Sequence, residues 1–152
     1  MEALYQAARD GNHLLVSELV NHQGNLNTLG IEGGSPLHAA AEEGHEAVVN
    51  TLLQARADAE VRDKLAWDTP LHTAVQRGHD RIVGLLVTAN ADVNTGNRDG
   101  MRPVHYAAMY RHGAIQEYLL QNGAEAEPRC AHGQTPADIT EDVARLPWCN
   151  AR

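Results

Sequence analysis

The chain has 152 residues, a formal net charge of −8 at pH 7 and a hydrophobic fraction of 43%. Such an acidic chain, with no basic cluster, argues against binding to nucleic acid or to an anionic membrane, because those partners are themselves negatively charged. Phe is absent and aromatic residues make up only 4%, which favours thin layers filled by Ala and Leu over one large aromatic core.

One short motif divides the chain into units. It consists of a polar residue, a proline, a small or apolar residue and usually a histidine. It occurs as Ser35-Pro36-Leu37-His38, Thr69-Pro70-Leu71-His72, Arg102-Pro103-Val104-His105 and, more weakly, Thr135-Pro136-Ala137-Asp138. The four prolines are separated by 34, 33 and 33 residues. A period in this range indicates an array of stacked repeats.

Each motif is predicted to open a short helix. Ser35, Thr69 and Thr135 are good N-caps. The proline after each of them suits the first helical turn, because its missing N–H would have no partner there anyway. Gly44 and Gly78 are predicted to end this first helix in two of the units, since glycine readily takes a positive φ.

A second helix is predicted after the first in each unit. Its apolar residues have the i, i+3, i+4 spacing of a helix that is buried on one side. The residues with this spacing are Val48, Val49, Leu52 and Leu53, then Ile82, Val83, Leu86 and Val87, and finally Ile115, Leu119 and Leu120. Segments such as residues 91–94 follow the second helix and turn the chain back towards the next unit.

Three elements therefore recur in register: the proline motif, a Gly-His pair such as Gly78-His79, and a loop such as Ala91-Asp92-Val93-Asn94. Together they resemble the ankyrin repeat, from about Glu2 to Arg145. The resemblance implies a mainly α fold, in which antiparallel helix pairs joined by β-hairpin-like loops stack into a curved α-solenoid. We expect a single domain over residues 1–152, with repeats at 2–32, 33–65, 66–99 and 100–132 and a partial C-terminal cap at 133–152.

Both terminal units depart from the pattern. In the first unit Ala3-Leu4-Tyr5 replaces Pro-Leu-His, while Gly11 keeps the register. Divergence is expected there, because a terminal repeat needs one polar face. In the last unit Pro147 rules out a normal second helix, and we expect Trp148 to fold back over Ile115 as a makeshift cap.

Six of the nine histidines occupy repeated positions, which indicates a structural role. The ankyrin resemblance implies that one set hydrogen-bonds the caps and loops of neighbouring units. This set comprises His38, His72 and His105. Buried polar groups generally need such partners.

A remote alternative is a metal site or an enzyme built near Cys130, His132 and Cys149. Cys-x-His is a poor zinc spacing, and a fourth ligand would have to come from elsewhere. No nucleophile motif, phosphate loop or pair of pocket carboxylates is evident either. We therefore expect no catalytic residue, no metal and no cofactor.

Partners of ankyrin proteins commonly contact the loop tips and the exposed end of each first helix. Carried over by position, the implied partner-binding residues are Glu32, Glu42, Glu43, Leu65, Trp67, Asp68, Gln76, Arg77, Arg98, Met101, Met109 and Tyr110. The implied function is a non-catalytic protein–protein interaction module or scaffold that binds a protein or peptide through its concave groove and loop tips. The alternative is an inhibitory or regulatory ankyrin protein that blocks an enzyme or a transcription factor.

Trp67 departs from the repeat, because glycine occupies the corresponding slot in the other units. The loop before Pro70 is also one residue longer, which accounts for the spacing of 34. Trp, Tyr, Met and Arg are enriched at interface hot spots. We predict one patch formed by Trp67 with Leu65, Met101, Met109 and Tyr110. The alternative is that Trp67 packs on a neighbouring loop and that the longer turn dispenses with glycine.

Several carboxylates lie at the predicted contact positions, among them Glu32, Glu42, Glu43 and Asp68. They predict a basic peptide or tail as the partner, with an association rate that falls as salt rises. The alternative is that they are ordinary solvated surface charges.

Asn94 is a candidate modification site. Leu86 lies eight residues before it, in a pattern that resembles the one hydroxylated by the asparaginyl hydroxylase acting on ankyrin repeats. Hydroxylation would add one oxygen to Asn94.

The remaining features indicate a reduced, soluble protein. There are only two cysteines, the N-terminus does not resemble a secretion signal, and no apolar run reaches the roughly 18 residues that span a bilayer. We expect a monomer located in the cytoplasm or the nucleus.

Overall fold

The computed structural model describes residues 2–22 and 25–142. Within these ranges the chain forms helices only, with no assigned strand. The helices are α1 (Glu2–Arg9), α2 (His13–His22), α3 (Pro36–Glu43), α4 (Glu46–Gln54), α5 (Pro70–Arg77), α6 (Asp80–Thr88), α7 (Pro103–Met109), α8 (Gly113–Gln121) and α9 (Pro136–Asp142). None of these helices has the length and apolar character needed to cross a membrane. The predicted mainly α fold is confirmed.

The helices are arranged in two layers. The first helices α1, α3, α5, α7 and α9 pack on one another in order, and the second helices α2, α4, α6 and α8 do the same. Helices α1, α3, α5 and α7 also pack against the second helix of their own unit. Only two or three residues separate the helices of a pair, so they run antiparallel. This is the stacked solenoid that the resemblance implied.

The start of α3 shows how a unit is tied to the next one. The Ser35 hydroxyl accepts the His38 N–H at 3.4 Å, and the Ser35 N–H donates to His38 Nδ1 at 3.1 Å. The other ring nitrogen, Nε2, donates to the carbonyl oxygen of Asp68 in the following loop at 2.9 Å. His72 and His105 make equivalent bonds in their own units. The predicted structural role of these histidines is confirmed.

The core lies between the two layers and continues along the whole stack. Small residues of the first helices, such as Ala40 and Ala74, are buried and allow neighbouring helices to approach closely. Larger aliphatic side chains of the second helices, including Leu52, Leu86 and Leu119, fill the space beside them. Burial is shared among many thin layers, as the scarcity of aromatic residues predicts.

The loops between units form hairpins, which we number in chain order as hairpin 1 (residues 30–34), hairpin 2 (63–68), hairpin 3 (97–101) and hairpin 4 (130–134). Each is closed by a backbone N–H···O=C bond. These bonds join Gly30 to Gly34 at 2.8 Å, Asp63 to Asp68 at 2.9 Å, Asn97 to Met101 at 2.9 Å and Cys130 to Gln134 at 3.0 Å. Hairpin 2 is therefore one residue longer than the others, which confirms the extra residue before Pro70.

Neighbouring hairpin tips are joined by single backbone bonds. Lys64 N–H donates to the Gly33 carbonyl at 3.0 Å, and Arg98 N–H donates to the Ala66 carbonyl at 2.8 Å. Ala131 N–H donates to the Asp99 carbonyl at 2.8 Å. The four tips consequently form one row along an edge of the stack, beside the first helices.

Two expectations about the C-terminal end lie outside the described residues, namely the cap formed by Trp148 and the helix break at Pro147. The predicted repeat ranges remain a prediction, and every helix pair falls within one of them.

Candidate functional site

The first helices and the hairpin row border a groove. Part of it is a hollow of about 220 Å³ between the first three units. Its lining residues are Tyr5, Glu32, Gly34, His38, Ala39, Glu42, Asp63, Leu65 and Thr73. Pockets for small molecules usually measure about 300–1,000 Å³. This hollow is therefore better suited to side chains of a polypeptide than to a metabolite.

Several of the predicted contact residues do face solvent along this groove. Leu65 is 72% exposed and Trp67 is 51% exposed, both in hairpin 2. Tyr110, directly after α7, is 42% exposed. Arg77 and Arg98 are also exposed. These side chains can touch a partner without any change in the fold.

Asp68 and Met101 are corrections to the predicted set, because their side chains are 5% and 1% exposed. Each occupies the last position of its hairpin, where the chain turns inward to begin the next first helix. The Met101 side chain lies in the apolar core, and its carbonyl accepts His72 Nε2 at 2.9 Å. Neither side chain forms part of an open contact surface.

Met109 and Gln76 are half-buried. Met109 packs against the core, and Gln76 donates its side-chain N–H to the Tyr110 hydroxyl at 2.9 Å. The Tyr110 ring also stacks on His112, with centroids 6.3 Å apart. Of the five residues predicted to form a patch, Leu65 and Trp67 on hairpin 2 and Tyr110 on the helix side are exposed.

The backbone of Trp67 has φ 63°, in the left-handed region that favours glycine. Its counterparts in the other hairpins are glycines with the same conformation: Gly33 at 87°, Gly100 at 68° and Gly133 at 76°. The longer turn thus contains no glycine, as that alternative held, but Trp67 keeps the conformation that glycine has in the other hairpins. Trp67 therefore carries a bulky side chain on a backbone conformation that favours glycine.

Trp67 also packs on the neighbouring hairpin. The guanidinium carbon of Arg98 lies 5.6 Å from the centroid of the Trp67 ring, within cation–π range. Such a contact contributes about 0.5–1 kcal/mol at an exposed site. Half of the side chain nevertheless stays open, so packing and partner contact are compatible here.

The carboxylates along the groove have partners within the chain. Glu32 accepts the Tyr5 hydroxyl at 2.9 Å and pairs with Arg9, while Arg9 Nε lies 3.9 Å from Glu43. Glu42 pairs with Arg77. Hydrogen bonds from Tyr5 and Arg9 lower the pKa of Glu32. Burial, and then the bond to Glu32, raise the pKa of Tyr5 to about 12.

The region of the metal alternative is only partly described, because Cys149 lies outside the described residues. Cys130 is a buried free thiol. Among the residues that the structure describes, no group of three His, Cys, Asp or Glu side chains is placed to hold a metal ion.

Asn94 bridges its own unit to the next. Its Nδ2 donates to the Gly123 carbonyl at 2.9 Å, and its Oδ1 accepts the Glu125 N–H at 2.9 Å. Asn27 occupies the corresponding position of the first unit and accepts the Asp58 N–H at 2.8 Å. The side chain thus has a structural role in this conformation.

Two features were missed by sequence reasoning. Ile31, in hairpin 1, is 83% exposed, more than any other large apolar side chain in the described part of the chain. The predicted contact set begins at the next residue, Glu32, and does not include it. The second feature is a buried hydrogen-bonded cluster of Asp68, Asn97 and Tyr106. The sequence signal for this cluster is that Asp68 and Tyr106 both differ from the residues at the corresponding positions of the other units.

Comparison with known proteins agrees with this architecture. A family model described as ankyrin repeats (3 copies) matches residues 1–63 and 57–130. Cortactin-binding protein 2 of Dasypus novemcinctus is 42% identical over 62 residues, which is 40% of this chain and 4% of that protein.

Two other relatives match a larger part of the chain. NF-kappa-B inhibitor zeta of Mus musculus is 29% identical over 128 residues, 84% of this chain and 14% of that protein. The transient receptor potential cation channel subfamily A member 1 homolog of Caenorhabditis elegans is 33% identical over 149 residues, 94% of this chain and 12% of that protein. The chain thus spans only a small part of each relative's length.

The histidine-linked caps, the paired helices and the hairpin row occur together in a chain whose first 130 residues match the family model. The protein belongs to the ankyrin-repeat family.

Proposed function

We propose that this protein is a non-catalytic interaction module that binds another protein or peptide along its hairpin tips and groove. The stack presents a preformed surface, so binding requires little ordering on this side. Ile31, Leu65 and Trp67 supply exposed apolar side chains on hairpins 1 and 2, and Tyr110 supplies another on the helix side. We also propose that the protein is a monomer located in the cytoplasm or the nucleus.

The conformation of Trp67 is the observation that carries the proposal. A residue other than glycine in the left-handed region costs about 1–2 kcal/mol. Such strain is concentrated at binding and catalytic sites in proteins, where function compensates for it. The Trp67 ring contacts the Arg98 guanidinium, and about half of the residue stays exposed to a partner.

Replacement of Trp67 by Gly and by Ala separates the two roles of this residue. Trp67→Gly loses the Arg98 contact but relieves the backbone strain, so we expect a stability within about 0.5 kcal/mol of wild type. Trp67→Ala loses the same contact and keeps the strain, so it should be less stable by about 1 kcal/mol. Urea unfolding followed by circular dichroism measures both values.

Binding is then compared at equal stability. A partner captured by the wild-type protein should bind Trp67→Gly at least about tenfold more weakly, as expected for an aromatic hot spot. Isothermal titration calorimetry with the purified partner gives the two values of Kd. Equal affinity of the two proteins would show that Trp67 is not a contact residue.

We also propose a preference for a basic partner, which would be weak. Glu32, Glu42 and Glu43 already face Arg9 and Arg77, and exposed pairs of this kind contribute only about 0–1 kcal/mol each. The association rate constant should be lower at high salt than at low salt. Equal rate constants would contradict the preference for a basic partner.

A regulatory role is the second candidate. A relative that is similar over 84% of this chain is named as an inhibitor, NF-kappa-B inhibitor zeta. If this chain also blocks its partner, saturating amounts should reduce the activity of that partner, whereas a scaffold would leave it unchanged. An activity assay of the captured partner with and without the chain decides between them.

Hydroxylation of Asn94 is a separate proposal. Both polar atoms of the Asn94 side chain, Nδ2 and Oδ1, are hydrogen-bonded to the next unit. An enzyme would therefore first have to open the loop between the units. Mass spectrometry of the protein from its native cells should show one added oxygen on the peptide containing Asn94. An unmodified peptide would contradict it.

A further inference from the structure

We propose that Asp68, Asn97 and Tyr106 are positioning residues, which hold hairpin 2 so that Trp67 is presented to a partner in one fixed conformation. This inference rests on the proposed role of Trp67 in binding. None of the three side chains is exposed, so they act through the hairpin and not by touching the partner.

The contacts within the cluster are direct. The Tyr106 hydroxyl donates to Asp68 Oδ2 at 2.9 Å, and it also lies 3.2 Å from Oδ1. Asn97 Nδ2 donates to Asp68 Oδ1 at 2.8 Å. The residue next to Trp67 is thereby joined both to hairpin 3 and to helix α7. Because the cluster is buried, loss of one donor removes a hydrogen bond to a carboxylate that water does not readily reach.

The orientation of the Asn97 side chain is fixed by bonds within its own hairpin. Asn97 Oδ1 accepts the N–H groups of Asp99 at 3.0 Å and Met101 at 2.9 Å. The Asn97 amide cannot rotate without losing both bonds, so its Nδ2 must point away from its own hairpin. There Nδ2 donates to Asp68 Oδ1 at 2.8 Å and also lies 3.2 Å from the Tyr106 hydroxyl, so all three side chains meet.

The cluster is a second departure from the repeat in the same place. The position of Asp68 is occupied by Gly34, Met101 and Gln134 in the other hairpins. The position of Tyr106 is occupied by Ala39 and Thr73 in the preceding first helices. In the aligned units of the sequence, these two positions hold an acidic residue and a tyrosine only at Asp68 and Tyr106, beside the hairpin that contains Trp67.

Further bonds hold the rest of hairpin 2. Asp63 Oδ1 accepts the Ala66 N–H at 2.8 Å, and Arg62 donates to the Gly96 carbonyl at 2.8 Å and to the Trp67 carbonyl at 3.4 Å. A strained conformation persists only where its surroundings determine it from several sides. Here hydrogen bonds to residues before and after Trp67 surround its backbone.

The consequence is a Trp67 side chain that is already placed before binding. Ordering a loop during association reduces affinity, and a preformed loop avoids that loss. Removing the Tyr106 hydroxyl should therefore free hairpin 2 while the ring of residue 106 continues to fill its place beside His72 and Tyr110.

Fluorine NMR tests this without any partner. The chain contains two tryptophans, so 5-fluorotryptophan labelling gives two ¹⁹F resonances, and a Trp148→Phe variant assigns them. In Tyr106→Phe and in Asp68→Ala, we expect the Trp67 resonance to shift and broaden or to split. Asp68→Asn keeps an acceptor for Asn97 and can donate to Tyr106, so its Trp67 resonance should stay close to wild type.

The matched control is Thr135→Ala, which removes the cap of α9, where Thr135 bonds Asp138 at 2.9 Å. It should lower the unfolding temperature and leave the Trp67 resonance in place. A Trp67 resonance that is unchanged in Tyr106→Phe and Asp68→Ala, or that moves equally in Thr135→Ala, overturns the positioning role. Failure of the proposed function would be seen separately, as unchanged partner binding by Trp67→Gly.

Discussion

At the scale of single residues, position within a hairpin decides whether a side chain is available to a partner. Leu65 and Trp67 lie at the tip of hairpin 2 and are exposed. Asp68 and Met101 come at the end of their hairpins, where the backbone turns into the stack, and they are buried. Residue type alone did not distinguish them, because methionine is common both in cores and at interfaces.

The correction for Met101 leads to a direct prediction. Met101→Ala should destabilise the protein by about 2–4 kcal/mol, because it removes a buried side chain and leaves a cavity. Leu65→Ala is the matched control and should change stability by less than about 0.5 kcal/mol, since Leu65 is exposed. Chemical denaturation of the two variants measures the difference. A similar small effect for both would place Met101 at the surface.

At the scale of elements, each first helix ends where the following unit packs against it. Gly44 has φ 82°, and a Cβ atom built there would lie 2.9 Å from the His79 ring. The Nε2 atom of that ring bonds the Glu42 carbonyl at 3.1 Å. Glycine therefore meets two requirements: it takes the left-handed backbone without the strain that Arg111 bears at the corresponding position of the fourth unit, and it leaves room for the histidine of the next unit.

A pair of substitutions separates these two requirements. Gly123 has φ 93° and no atom within 4 Å of an added Cβ, so Gly123→Ala should cost only the backbone strain, about 1 kcal/mol. Gly44→Ala should cost more, because the His79 ring must also move. Thermal unfolding compares the variants, and equal losses would mean that the His79 ring yields without cost.

Helices and hairpins differ in how far the sequence predicted them. The helix starts at Pro36, Pro70, Pro103 and Pro136 follow from local cap chemistry and agree with the structure. The left-handed conformation of Trp67 does not follow from local chemistry, since its own preference opposes it. Arg62 donates to the Trp67 carbonyl, and Asn97 and Tyr106, which lie on other elements, donate to the adjacent Asp68.

At the scale of the whole molecule, buried histidines connect the second, third and fourth units each to the unit that follows. Burial lowers the pKa of His38, His72 and His105 below that of a free histidine. Nδ1 of each ring accepts a backbone N–H, so the ring must be neutral in the folded state. Protonation of Nδ1 would break the bond that it accepts in the cap, while Nε2 would still donate to the carbonyl of the next unit.

The stack should therefore lose stability in mild acid. Above the unfolded-state pKa of about 6.5 these three groups contribute their full stability. As the pH falls below 6.5, the unfolded chain takes up protons that the folded chain does not, so stability falls until the pH reaches the lowered folded-state pKa values. Below those values this contribution changes no further.

Denaturant unfolding between pH 7.5 and about pH 5 measures the slope of stability against pH. His105→Gln should reduce that slope, because one buried histidine has been removed. His13→Gln is the control, since His13 is exposed and should leave the slope unchanged. A stability that does not vary over this range would contradict the assigned neutral rings.

The repeat length, the two helices of each unit, their caps and the structural histidines were determined by the sequence itself, because neighbouring residues make those contacts in every unit. The tertiary structure alone decided which loop residues remain at the surface. It paired the groove carboxylates with Arg9 and Arg77 and buried Asp68 beneath Trp67. These outcomes depend on side chains that meet from different units, and their approach is set by the packing of the whole stack.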